Sequence, residues 1–349
     1  MIDRLPAFGI CGYSGSGKTT LIRQIIPRLK AMGLDVAVLK HDAHGLTVDR
    51  RGKDSDVCFN AGADVMATDA RQTFYRAHQA DQTDLFAVLK CVAPRYDMVL
   101  VEGYKAAALP HKIWLRRHAK DKYPPKVKGV RLDLERDADR VTLTMNLLAR
   151  RLPKIWTAAP VCAGILIGGQ STRMGRPKHL IRHEGHTWLE WTIAKVRPFV
   201  SDIALLGSGE VPRKLDGVVA LPDVRDAEGR NDRPSGPLAG MLAAMRWQPL
   251  SSWLFIACDL PWLSGTAVEW LLTTRKPGVW ATLPRLRGSQ GVEPLLAHYD
   301  FRARHLLEAC RGPAEIAASR KVITPEPPES IVAAWTNINT PTDLRRSAP

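Results

Sequence analysis

Unbroken apolar runs alternate with helix-period segments along this chain, and two of those runs lead straight into glycine-rich polar loops. The first is Ala7 to Cys11, followed by GYSGSGKT; the second is Val161 to Ile167, followed by GGQSTRMGRPK. An apolar run of this length bounded by turn residues predicts a strand buried on both faces. Each run therefore starts an α/β unit with a phosphate-type loop at its carboxyl end. The loops differ in spacing, so they are not an internal repeat. In the first half the pattern predicts a helix over Thr19 to Met32, ended by Gly33 and interrupted by Pro27. It predicts strands at Asp35 to Lys40, Ala63 to Thr68 and Met98 to Glu102, and a helix at Asp84 to Val92. In the second half it predicts helices at Thr187 to Val196, Leu238 to Trp247, Thr266 to Thr274 and Arg302 to Cys310. Strands are expected there at Ile203 to Gly207, Val218 to Leu221 and Trp253 to Ala257. Strands alternating with helices imply two open, mainly parallel sheets.

Composition then sets the boundaries. A length of 349 residues suggests two domains. The two-proline stretch RRLPKIWTAAP, Arg150 to Pro160, ends a helical segment and separates the two loops. Nine of the ten tryptophans follow residue 150, which places a change of composition at the same point. The expected domains are residues 1–155 and 161–349. TPEPPES, Thr324 to Ser330, reads as an exposed loop. At 45% hydrophobic and 24% charged residues the chain can bury a sizeable core, which excludes disorder as its main state. No run of 18 apolar residues exists to predict a membrane span, and the N-terminus lacks the layout of a signal peptide. The six cysteines, with no C-x-x-C pair, fit a reducing cytoplasm.

The net charge of +15 raises a nucleic-acid reading, but the excess is diffuse. Residues 1–160 carry 27 Lys/Arg against 17 Asp/Glu, and the rest carry 23 against 18. No long basic block or nucleic-acid module is visible, so nucleic acid is not the expected partner. A diffuse basic surface equally suits anionic small molecules.

Two sites carry the chemistry. Gly12-Tyr13-Ser14-Gly15-Ser16-Gly17-Lys18-Thr19 matches G-x-x-x-x-G-K-[ST] in full. Its glycines turn backbone N–H groups around phosphate oxygens, and Lys18 adds a point charge. The Thr19 hydroxyl can ligate Mg²⁺, and Glu102, ending the strand Met98 to Glu102, stands where a metal-side carboxylate belongs. Between them, Lys40-His41-Asp42-Ala43-His44-Gly45 and Gly52-Lys53-Asp54-Ser55 place charge near the same crevice, or form solvated loops. In the second half, Gly168 and Gly169 allow close approach of a triphosphate, while Arg173 and Lys178 supply charge for a departing pyrophosphate. Asp259, at the end of the strand Trp253 to Ala257, is a hard ligand suited to Mg²⁺, and otherwise a helix cap. Gly236-Pro237-Leu238-Ala239-Gly240 and Asn337-Ile338-Asn339-Thr340-Pro341 each combine a turn with a helix start.

The blocks GYSGSGKTTLI, LKHDAHG, GKDS before NAGA, LVEGYK and LPHKI resemble the molybdopterin-guanine dinucleotide biosynthesis adaptor family, MobB, over most of residues 7–118. That resemblance implies a GTP-binding P-loop NTPase domain. Gly12, Ser14, Gly15, Ser16, Gly17, Lys18 and Thr19 would hold nucleotide, and Thr19 and Glu102 the metal. The family's longer histidine run is here replaced at Asp42-Ala43. The blocks LIGGQSTRMGRPK, GPLAG, CDLP and NINTPTDL resemble the molybdenum cofactor guanylyltransferase family, MobA, over nearly all of residues 161–346. The fold class implied is α/β throughout: an N-terminal P-loop NTPase domain plus a C-terminal Rossmann-like nucleotidyltransferase domain. Leu166, Gly168, Gly169, Lys178, Asp223 and Asp259 would bind GTP, with Arg173, Lys178 and Asp259 catalytic and Asp259 and Asn339 on the metal. One departure is Pro177 before the motif lysine, where guanylyltransferases commonly have Asp and cytidylyltransferase relatives have Pro. The expected reaction is transfer of GMP from GTP to molybdopterin, or its molybdenum-loaded form (Mo-molybdopterin). Expected partners are those substrates, molybdoenzyme apoproteins and their maturation factors, with no membrane. The alternatives are a cytidylyltransferase for the same pterin and a nucleotide-gated delivery protein with a vestigial transferase.

Overall fold

The computed structural model describes residues 5–41, 49–68, 70–76, 85–168, 177–211, 215–222 and 236–338. The chain divides into two compact units, Met1–Ala149 and Arg150–Pro349.

In the first unit, β1 (Ala7–Gly12) runs into α1 (Lys18–Ala31) and β2 (Val36–Lys40). Next come α2 (Asp54–Asn60), β3 (Val65–Thr68), β4 (Thr73–Arg76) and α3 (Leu85–Val92). The unit continues through β5 (Met98–Glu102), β6 (Lys112–Leu115), β7 (Val130–Leu134) and the start of α4 (Arg140–Thr157), whose residues from Arg150 on belong to the second unit. Five strands form one parallel sheet in the order β2-β5-β1-β6-β7. The central strands β1 and β5 are covered on both faces: Phe8, Ile10, Val99, Leu100 and Val101 are fully buried. This is why they read as unbroken apolar runs. One expectation is corrected here: the strand at Val65–Thr68 is not part of the parallel sheet but pairs antiparallel with β4 as a separate hairpin. α4 runs through Pro153 and ends at Thr157, inside the stretch Arg150 to Pro160 that was expected to end a helical segment.

In the second unit, β8 (Val161–Leu166) is followed by a small hairpin, β9 (Arg182–His183) and β10 (His186–Thr187), and by α5 (Trp188–Val196). Then come β11 (Asp202–Leu206), β12 (Val218–Leu221), α6 (Pro237–Trp247), β13 (Ser252–Ala257) and α7 (Gly265–Thr273). The last elements are β14 (Ala281–Thr282), β15 (Ala297–Tyr299), α8 (Arg304–Leu307) and β16 (Val322–Ile323). The helix expected over Arg302 to Cys310 shrinks to α8, preceded by a 3₁₀ turn at Phe301–Ala303.

Seven strands of this unit form one sheet, β12-β11-β8-β13-β15-β14-β16, in which β15 alone runs antiparallel to its neighbours. One face packs Leu206, Met241, Leu242 and the stacked rings of Trp253 and Phe255; the other packs Leu189, Ile193, Val268 and Leu271. The start of α5 is set by a capping box. The Thr187 hydroxyl accepts from the Glu190 amide at 3.2 Å and the Glu190 carboxylate accepts from the Thr187 amide at 2.6 Å. Such a cap contributes about 1 kcal/mol. Among the described residues no helix is long and apolar enough to cross a membrane.

Candidate functional sites

In the first unit the sharp turn after β1 requires its glycines. Gly12, Gly15 and Gly17 have φ of 148°, 74° and 87°. A Cβ on Gly12 would stand 2.5 Å from both the Leu115 carbonyl oxygen and Ser16 Oγ. The turn delivers the chain into α1, whose N-terminus faces the loop. β5 lies beside β1 in parallel register, with Ile10 opposite Glu102, so the strand-end acid arrives next to the loop. Thr19 Oγ1 donates to Glu102 Oε1 at 2.9 Å, joining the two residues expected on the metal. Lys18 Nζ donates to the carbonyl oxygens of Tyr13 (2.9 Å) and Gly12 (3.3 Å). Burial pushes the Lys18 ammonium below its ordinary pKa, with Glu102 acting in the opposite direction.

A cavity of about 830 Å³ opens here, walled by Lys18, Thr19, Lys40, His41, Glu102 and Lys105. The His41 ring lies 4.5 Å from that of Tyr104. Of the sequence blocks between loop and acid, Lys40 and His41 reach the cavity, while residues 42–48 lie outside the described residues. Gly52, by contrast, donates its amide to Asp56, which also takes Arg76 at 2.9 Å, so that block ties α2 to the hairpin. Lys105 and Tyr104 belong to the LVEGYK block of the sequence but were given no role there; both line the cavity.

In the second unit Gly168 leaves β8 beside the loop after β11. A Cβ on Gly207 would lie 2.9 Å from Gly168 Cα, and one on Gly209 2.2 Å from the Ile167 carbonyl oxygen. Gly207 and Gly209 thus let one loop underlie the other, a role that their letters alone do not disclose. Leu166 ends β8 with its side chain in the core. Gly169, Arg173, Asp223 and Asn339 lie outside the described residues.

Lys178 and Asp259 do come together: Lys178 Nζ donates to Asp259 Oδ2 at 2.9 Å, with both side chains largely buried. Parallel pairing of β13 with β8, Ala257 opposite Leu166, carries Asp259 to the same sheet edge as Gly168. The other carboxylate oxygen, Asp259 Oδ1, is buried and has no hydrogen-bond partner among the described residues. A buried anionic oxygen left open is what a hard divalent cation would complete. The amide of Ile338 donates to the Asp259 carbonyl at 3.1 Å, which brings the residue before Asn339 to this point. His179 is held by a 2.8 Å contact of its Nε2 with the Glu210 carbonyl oxygen, anchoring the residue after Lys178. Among the described residues no group of three or more His, Cys, Asp or Glu could hold a metal ion. A separate hollow of about 500 Å³ lies between α5 and the loop after Asp259, walled by Trp188, Trp191, Trp262 and Leu260.

Each unit is an open α/β sheet with a glycine loop at the carboxyl end of a central strand and an acid at the end of the neighbouring strand. That pairing defines a protein with a P-loop unit and a nucleotidyltransferase-type unit. The family model "Molybdopterin guanine dinucleotide synthesis protein B" (MobB) matches residues 7–131, and "MobA-like NTP transferase domain" matches residues 163–327. The chain is 36% identical over 172 residues to the molybdopterin-guanine dinucleotide biosynthesis adapter protein of Haemophilus influenzae, covering 44% of this chain and 88% of that protein. It is 28% identical over 149 residues to a probable molybdenum cofactor guanylyltransferase of Bacillus mycoides, covering 42% and 72%. The solved structure of molybdopterin-guanine dinucleotide biosynthesis protein A from Archaeoglobus fulgidus aligns with TM-score 0.41 and 24% identity, over 53% of this chain and 95% of that one. The chain belongs to the MobB family in its first part and carries a MobA-like nucleotidyltransferase domain in its second.

Proposed function

We propose that the second unit transfers GMP from GTP to the terminal phosphate of molybdopterin, or of Mo-molybdopterin, releasing pyrophosphate, and that the first unit is a GTP-binding adaptor. The observation that carries this reading is the Lys178–Asp259 pair beside Gly168, with Asp259 Oδ1 buried and open. In this reading the functional domains are residues 1–155 and 161–349, acting in the cytoplasm. An oxygen of the acceptor phosphate forms a bond to the α-phosphorus of GTP, and the bond from that phosphorus to the bridging oxygen of pyrophosphate breaks. The acceptor is already anionic, so no strong general base is needed. Lys178 holds Asp259 in place and brings its positive charge to the phosphate oxygens. Gly168 and Gly169 admit the triphosphate close to the backbone, Arg173 adds charge, and Asp223 and Asn339 complete the nucleotide and metal contacts. Asp259 and Asn339 would hold Mg²⁺, as would Thr19 and Glu102 in the first unit; bound there, it neutralises phosphate charge. Positioning and neutralisation then supply most of the rate.

The test is pyrophosphate release from purified protein given molybdopterin and each nucleoside triphosphate in turn. Release with GTP supports the proposal. Release with CTP alone identifies a cytidylyltransferase, the reading that Pro177 before Lys178 raises. Nucleotide binding with no release identifies a delivery protein.

A further inference from the structure

The phosphate loop of the first unit is gripped from behind by a residue far along the chain. Arg140, the first residue of α4, spends its guanidinium on three main-chain carbonyls. Its Nη1 donates to the Ser16 oxygen at 2.7 Å, its Nε to the Glu135 oxygen at 2.7 Å, and its Nη2 to the Arg116 oxygen. These oxygens belong to the phosphate loop, the residue after β7 and the residue after β6. The fork geometry of a guanidinium suits this three-way tie. A peptide is planar and trans, so its C=O and N–H point to opposite sides. Holding the Ser16 oxygen against Arg140 therefore turns the Gly17 N–H the other way, and Gly17 lines the phosphate cavity. Gly17 must also lack a side chain here: its φ is 87° and a Cβ would meet Arg140 Nη1 at 3.2 Å. Burial lowers the Arg140 pKa from its ordinary value, with nearby Arg136 acting in the same direction. An arginine stays charged even so.

We propose that Arg140 is a positioning residue of the first unit. It sets the Ser16–Gly17 peptide for a di- or triphosphate and adds a fixed positive charge behind it. This rests on reading that unit as a nucleotide site. A hydrogen bond on the carbonyl side also polarises the peptide and strengthens its N–H as a donor. The charge acts through protein, where salt screens it less than at an open surface.

The experiment measures GTP binding by calorimetry in the full chain. The first-site component is defined as the part that Lys18→Ala removes. Arg140→Met and Arg140→Lys are compared with the unaltered chain at two salt concentrations, alongside the unfolding midpoint of each without nucleotide. Arg140→Met is expected to weaken the Lys18-dependent binding by ~10-fold or more, the scale of a lost charge-assisted contact. Arg140→Lys should fall between the two, because it keeps the charge and loses the fork. Because that charge is weakly screened, the deficit of Arg140→Met should persist at the higher salt concentration. Binding within about twofold of the unaltered chain in Arg140→Met would overturn the proposal. So would equal losses in both variants that track their unfolding midpoints, since that marks a purely structural residue. If the unaltered chain shows no Lys18-dependent binding, the nucleotide-site reading itself fails, and this proposal with it.

Discussion

Lys178 and Asp259 meet at 2.9 Å although 81 positions separate them, and among the described residues only one oxygen of the carboxylate has a partner. The lysine takes Oδ2 and leaves Oδ1 buried and open at the edge where β8 and β13 end side by side. A buried carboxylate with a free oxygen is costly unless something else completes it.

That relationship makes Asp259→Asn the most direct test of the second unit. An amide keeps the shape and removes the charge. Turnover, read as pyrophosphate release, should fall by ~10²-fold or more, while GTP affinity falls much less. Thermal unfolding of the variant should stay near that of the unaltered chain. Near-normal turnover in a folded variant would remove Asp259 from the reaction.

Lys18→Ala tests the separation of the two loops. Each loop follows its own central strand, β1 or β8, and the strand paired with it leads to its own acid, Glu102 or Asp259. The variant should lose nucleotide binding at the first loop, because the phosphates lose their main cation. Pyrophosphate release by the second unit should remain largely intact. A variant that stops releasing pyrophosphate would show the two loops serving one reaction.

The strands that carry both loops were legible because they are buried on both faces and so are written in apolar letters. The placing of Glu102 and Asp259 at the carboxyl ends of β5 and β13 was legible because each acid closes such an apolar run. The strands β6 and β7 were not: KIWL starts with a buried lysine and VRLDL alternates, so neither makes an apolar run. The end of α4 was legible only to within the stretch Arg150 to Pro160, because the proline at 153 is accommodated inside the helix and Leu152, Ile155 and Trp156 are buried around it. The grip of Arg140 on Ser16 spans 124 positions and goes to a main-chain oxygen, so no side-chain pattern could encode it.

Cysteine reactivity should divide by burial. Burial pushes the Cys258 thiol up to about 12, helped by neighbouring Asp259, and the Cys11 thiol up to about 11. At pH 8 such thiols are thiolate in roughly one part in a thousand or less, and the thiolate is the nucleophile. Cys58 and Cys91 are exposed. Iodoacetamide at pH 8 followed by peptide mass spectrometry should label Cys58 and Cys91 and spare Cys11 and Cys258. Rapid labelling of Cys258 in folded protein would contradict the packing at the end of β13.

Lys112 supports the other wall of the first cavity. It is fully buried, and its Nζ donates to the carbonyl oxygens of Lys105 (2.9 Å) and Ala107 (2.5 Å). Those carbonyls belong to the segment that carries Tyr104 and Lys105 to the cavity. Burial lowers the Lys112 pKa from 10.5, with Cys11 opposing. The unfolded chain therefore holds more protons just below pH 10.5, and this group makes stability rise with pH there. Lys112→Met removes that slope and takes the ammonium from the Lys105 carbonyl and from the Ala107 carbonyl, the latter keeping the Leu109 amide, a loss of ~1–3 kcal/mol. Hydrogen exchange should speed up across residues 104–109, and nucleotide binding at the first loop should weaken while Lys18 and Thr19 stay in place. Unchanged exchange in that segment would mean that the wall is held by its own turns, the Ala107 and Leu109 amides donating to Tyr104 and Ala107, and not by the buried ammonium.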